Sequence, residues 1–225
     1  MAMRARRTAL AAVVTLAVAI PLAAQEPGPT DRTAALRSVS GVLECRTLEG
    51  NAPCGLDTFT VTAQTDGTRT LTGRADLPAR GIQIDIVLRV AGNFRPLEGF
   101  TQSYSGGAWL GSGLFLVEGP TLRATVRTPE RIVAETITVP GKFSLLMHPV
   151  AADGWHFGHY DRARGGKQVL PRCAVGAARE SVRCALADST LEFLGEETLT
   201  VPAGTFRTDH YRFGEATDVW LAGPD

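Results

Sequence analysis

The chain has 225 residues, 44% of them hydrophobic and 20% charged, with 23 basic residues balancing 23 acidic ones. A chain without a basic excess does not favour a phosphate backbone, so nucleic acid is not expected as a partner. This length and apolar content suffice for one domain with a sizeable core, without metal or disulfide staples.

The N-terminus reads as an export signal. Residues 1–7 carry three arginines and no acid, and residues 8–22 are apolar apart from Thr8, Thr15 and Pro21. Ala23 and Ala24 follow, then Gln25-Glu26-Pro27. A basic n-region, an apolar h-region and a small-residue end predict a secretory signal peptide over residues 1–24, cut after Ala24. Leu22 is a less usual residue at the −3 position. The alternative is a retained anchor, but the apolar run is only about 15 residues and contains Pro21, against the roughly 20 needed to span a bilayer. No cysteine lies at the cut site to carry a lipid. Without the leader, 20 basic residues face 23 acidic ones, a net charge of −3, over 201 residues. No further stretch is long and apolar enough to cross a membrane, so a periplasmic or secreted protein is expected.

Four cysteines remain, Cys45, Cys54, Cys173 and Cys184. An even count in an exported chain points to disulfides. Three pairings are open; proximity in sequence and flanking turn residues favour Cys45–Cys54 and Cys173–Cys184. A zinc site made by all four lacks the short C-x2-4-C spacing, and a redox role lacks C-x-x-C.

Residues 25–41 read as a linker and a short helix. Thr30-Asp31 caps it, Ala35, Leu36 and Val39 lie on one side, and Gly41 follows its end near Ser38. From residue 42 to 225 the chain reads as a single β domain. Thr58 to Ala63 alternates threonine with apolar residues, Asp66-Gly67 supplies a hairpin turn, and residues 68–75 return. Ile82, Ile84, Ile86, Leu88 and Val90 alternate with Gln83, Asp85, Val87 and Arg89, a half-buried antiparallel strand. Residues 100–104 and 108–117 flank a Ser105-Gly106-Gly107 turn. Glu118-Gly119-Pro120 turns the chain again, and strands over 122–127 and 132–139 follow. The fold class expected is all-β and mainly antiparallel: a curved meander sheet or half-barrel spanning about 42–147, with a short helical or aromatic lid near 148–164. The motif Glu-Thr-(Ile/Leu)-Thr-Val-Pro occurs at Glu135 and again at Glu197, each copy just before a glycine. It reads as two strands ending in the same kind of Pro-Gly corner. Val219-Trp220-Leu221 reads as a last strand, and its expected return strand is missing from the chain.

Three of the four histidines lie within twelve residues, at His148, His156 and His159, with Asp153 and Asp161 among them. On a helix, His156 and His159 are i,i+3 neighbours and Asp153 precedes His156 by three. Two imidazoles and a carboxylate on one face suit zinc or ferrous iron, which makes His148, Asp153, His156 and His159 the candidates for a metal-dependent hydrolase or oxidoreductase. The other reading takes Trp155, Phe157 and Tyr160 as an aromatic plug over the open side of the sheet, able to contact an apolar ligand. No G-x-S-x-G, Walker loop, H-E-x-x-H or G-x-G-x-x-G is present, and no cofactor, metal or catalytic residue is assigned.

Asp-Gly-x-Arg-Thr-Leu (66–71), His-Pro-x-x-x-Asp-Gly-Trp (148–155), Leu-Gly-Glu-Glu-x-x-x-Val-Pro-Ala-Gly-Thr-Phe (194–206) and Asp-x-Trp (218–220) are four such motifs. Together they make the chain, over about 42–222, resemble a group of bacterial secreted proteins of unknown function. Their fold is similar to that of the periplasmic lipoprotein carriers. The resemblance implies a curved antiparallel half-barrel with a helical lid, and carries no established catalytic residue. Members continue past Asp-x-Trp with a closing strand, where this chain departs. The leading expectation is a non-catalytic periplasmic protein that binds a lipid or other apolar envelope ligand on its concave face. Beside it stand the metal-dependent enzyme and an envelope scaffold with a protein partner.

Overall fold

The computed structural model describes residues 37–47, 50–146, 150–174 and 185–223, together with the backbone of Leu16–Ala19. Alternation of apolar and polar residues produces strands throughout. β1 (Leu16–Ala19), β2 (Arg37–Arg46), β3 (Pro53–Ala63), β4 (Arg69–Leu77), β5 (Ile82–Val90), β6 (Pro96–Ser105), β7 (Ala108–Glu118), β8 (Thr121–Arg127) and β9 (Ile132–Thr138) form one sheet in chain order. Every neighbouring pair in it is antiparallel. β10 (Ser144–Leu146), β11 (Gln168–Ala174), β12 (Ala185–Val201), β13 (Gly204–Phe213) and β14 (Thr217–Leu221) form a second. There β10 runs parallel to β11, and the other pairs are antiparallel. The fold is thus all-β and mainly antiparallel, with one short helical segment between the sheets. The first sheet begins at β1 and ends at β9 without closing into a barrel. No helix of the described residues is long and apolar enough to cross a membrane.

Burial follows the two-residue period. In β5, Ile86, Leu88 and Val90 are each 2% exposed, whereas the intervening Val87 is 37% exposed. Val61, Leu71, Phe115, Leu122, Ala124 and Val126 join them in one core over the inner face. The tight turn between β6 and β7 is Gly106-Gly107, both at positive φ (56° and 80°), the backbone that a twisted two-residue hairpin requires.

Two expectations are corrected. Residues 37–40 are strand, not the end of a helix: Ser38, Val39 and Ser40 pair with Thr62, Val61 and Thr60. Three ladder positions and a buried neighbour outweigh a weak capping signal. The rest of that helix lies outside the described residues. The meander also ends earlier than residue 147, because β10 belongs to the second sheet.

The repeated Glu-Thr-x-Thr-Val-Pro motif ends strands in two different corners. At Val201 the chain makes a tight hairpin through Pro202-Ala203 into β13. At Val139 it leaves the first sheet for β10, and the Arg95 guanidinium clamps that exit by donating to the carbonyls of Pro140 (2.8 Å), Gly141 and Gly119.

Cys45 and Cys54 form a disulfide across the β2–β3 hairpin, nine residues apart with Cα atoms 5.1 Å apart. Cys173 is also disulfide-bonded, and Cys184 lies outside the described residues. Both Cys45 (8% exposed) and Cys54 (3%) sit in the core. Replacing the pair by serines is expected to lower stability by about 2–3 kcal/mol through the lost loop constraint on the unfolded chain, read as a drop in the urea midpoint with a slope that is not lowered.

Candidate functional site

The segment Val150–His159 is a 3-10 helix. Gly154 and Gly158 disfavour a longer α-helix, and the three-residue turn brings residues i and i+3 into line. Asp153, His156 and His159 therefore share one edge. The carboxylate of Asp57, 5% exposed inside β3, accepts a hydrogen bond of 2.9 Å from the Val150 N–H. This ties the start of the segment to the inner face of the first sheet. Trp155 and Ala152 enter the core of that sheet beside Phe143 and Leu145. Phe157 and Tyr160 enter a separate cluster with Leu170, Leu191 and Tyr211, and the rings of Phe157 and Tyr211 lie 4.7 Å apart. Ten residues thus plug both sheets. Gly158 is pressed against Phe94, where an added Cβ would lie 2.2 Å from the ring.

The three aromatic residues expected to meet a ligand are therefore buried here: Trp155 is 6% exposed, Phe157 4% and Tyr160 9%.

His156 is 2% exposed and stacks on Phe213 at 5.2 Å. Its Nδ1 hydrogen-bonds the hydroxyl of Ser144 on β10, and its Nε2 lies 3.5 Å from Asp153 Oδ1. A serine, a histidine and a carboxylate in this order resemble a nucleophile with its base. The geometry argues against that use. Ser144 is 5% exposed, and it sits on β10 while His156 and Asp153 sit on the segment covering it. The arrangement works instead as a latch holding the plug to β10.

His159 is 7% exposed. Burial, then the charges of Lys142 and His156, push its pKa down to about 4, against hydrogen bonds with the backbone of Phe94 and Phe143. It is therefore neutral at pH 7. Among the described residues, His159 Nε2 is buried without a hydrogen-bond partner, a cost to the closed state, whereas Asp153 Oδ1 and His156 Nε2, also without one, face each other at 3.5 Å. His148 lies outside the described residues. Among those described, no three His, Cys, Asp or Glu side chains are placed to hold a metal ion.

The late motifs converge elsewhere, on the second sheet. Glu197 of β12 accepts from Trp220 Nε1 of β14 (2.9 Å) and pairs with His210 Nδ1 of β13 (2.7 Å). The His210 and Trp220 rings stack at 4.4 Å, and Asp218 accepts from Arg212 Nε at 2.9 Å. Hydrogen bonds from Trp220 and His210 hold the Glu197 carboxyl below its usual range. Its Arg212 partner lowers Asp218 in the same way. On the plug side of β13, Arg162 Nη1 donates to Asp209 (2.8 Å) and its guanidinium covers Phe193 at 3.5 Å. These contacts pair most of the charged groups with one another across three strands, which stiffens the sheet.

Comparisons with protein-family models, curated proteins and solved structures find no match to this chain.

Proposed function

We propose that the chain is a non-catalytic, extracytoplasmic β protein whose apolar inner face takes a lipid or acyl chain once segment 150–159 moves aside. One observation carries the reading: segment 150–159, beside Phe143, Leu145 and Cys173, closes an apolar face; it is latched at Asp57 and Ser144, and it holds His159 Nε2 buried without a hydrogen-bond partner. The Cys45–Cys54 disulfide supports an oxidising compartment, as does the export signal read in residues 1–24, whose cleavage would remove β1 and leave β2 as the edge of the first sheet.

The test is a fluorescence titration with cis-parinaric acid, a polyene fatty acid. Ser144→Ala leaves the imidazole without its partner, a change of about 1–3 kcal/mol. The open fraction then rises, and apparent affinity rises with it. Saturable binding to the wild type, tightened about tenfold in Ser144→Ala, is expected. Absence of binding to both proteins would overturn the proposal.

A further inference from the structure

The outward face of the first sheet carries a different chemistry. Across β2, β3 and β4 the residues Ser38, Thr62 and Thr70 stand in register, as do Ser40, Thr60 and Thr72. Neighbouring hydroxyls are spaced about 4.8 Å across the strands and about 6.8 Å along them. Ser40 and Thr60 are hydrogen-bonded at 2.7 Å. The row through Thr72 continues in register into Val87, Phe100 and Leu114 of β5, β6 and β7. Here Val87 is 37% exposed and Leu114 45%. Over β2 to β5, beside the apolar row and not within it, lies a shallow open concavity of about 510 Å³, lined by Ser40, Thr58, Thr60, Thr72, Arg74 and Asp85 together with residues of the alternate rows such as Phe59 and Ile86. The two charges at its end lie 3.7 Å apart, and Gln102 Nε2 donates to Asp85 at 3.1 Å.

We propose that this face is a second binding site, for a neutral carbohydrate chain. Each serine or threonine hydroxyl both donates and accepts, which matches sugar hydroxyls that do the same. The facing charges of Arg74 and Asp85 offset one another, so the hollow favours neither an anion nor a cation. The adjoining Val87–Phe100–Leu114 row offers an apolar surface to the C–H face of a sugar ring, and clustered exposed apolar residues mark interaction surfaces. A fatty acid would use only the apolar row and leave the hydroxyl rows unmatched. A sugar chain uses both. The site is separate from the inner face and does not depend on the plug.

The experiment is a set of amide NMR spectra of the mature protein titrated with maltoheptaose and with chitohexaose, run beside the variant carrying Thr60→Val and Thr72→Val. Valine keeps the shape and the strand preference while removing the hydroxyls. At least one sugar is expected to shift the amides of Ser40, Thr60, Thr72 and Arg74 saturably. The variant is expected to bind about tenfold more weakly, with its spectrum otherwise preserved and its parinaric acid binding unchanged. The proposal is overturned by absence of shifts with both sugars, or by equal shifts in the variant. Concentration-dependent broadening at Val87, Phe100 and Leu114 without sugar would also overturn it, by showing that a second copy of the chain occupies this face.

Discussion

Trp155→Ala is expected to lower the free energy of unfolding by about 3–5 kcal/mol, the usual cost of removing a large buried ring. Trp155 is 6% exposed and belongs to the same core as Phe115, Phe143 and Leu145, which are at most 1% exposed. Truncation leaves a void between the plug and the first sheet that rigid strands cannot refill. Against a total of about 5–15 kcal/mol for a domain, the loss is a large fraction of stability. The urea midpoint should fall steeply, and anilinonaphthalene sulfonate should bind the native state as the inner face opens. Trp155→Phe keeps much of the ring and should recover more than half of the loss. A loss below about 1 kcal/mol for the alanine variant would show that the plug is not anchored by this ring.

Acidification from pH 7 to pH 4 should cost about 3 kcal/mol through His159 alone. Its folded-state pKa of about 4 lies below the ordinary value near 6.5, so between these two values the unfolded chain binds a proton that the folded chain does not. Stability from this group is fully present above about pH 6.5 and falls as the pH drops towards 4; below that it changes little further. Each unit of displacement is worth about 1.4 kcal/mol. The carboxylates with lowered pKa, Asp66, Glu197 and Asp218, shed their contributions from about pH 5 downwards, so among these groups the step from pH 7 to pH 5.5 belongs to the histidine. His159→Gln stays neutral throughout. Urea unfolding at pH 7, 5.5 and 4 should show a falling midpoint in the wild type and a nearly flat one in the variant. Equal slopes would mean that His159 is not buried neutral.

Much of this architecture was legible in the residues because strands declare themselves by alternation. β5 was readable residue by residue, and the turns at Asp66-Gly67, Gly106-Gly107 and Gly119-Pro120 fall where their glycines and proline place them. The plug was visible as three aromatic residues beside two glycines. Its latch was not. Ser144 lies in the three-residue strand Ser-Leu-Leu, too short to show a period. Asp57 did leave a signal that went unread: it stands in line with Phe59 and Val61 on the inward side of β3, and a carboxylate there needs a partner. The meeting of Glu197, His210, Asp218 and Trp220 depends on the register of β12 against β13, which shifts at a bulge between Phe193 and Gly195. No local pattern reveals that shift. The end of the expected helix, near Ser38, gives way to strand for the same reason, since the pairing with β3 decides it.

The Asp57–Val150 hydrogen bond joins residues 93 apart in sequence, whereas each strand from β2 to β9 pairs with its immediate neighbour. That contrast orders the folding of the chain in time. Hairpins between adjacent strands close quickly, and contacts across long loops close late. As the chain emerges N-terminus first, the large sheet can assemble before residues 150–159 arrive, with its greasy side still bare. For that interval the nascent protein is exposed to aggregation, so its yield should depend on a holding chaperone acting on a nearly complete sheet rather than on an unfolded chain.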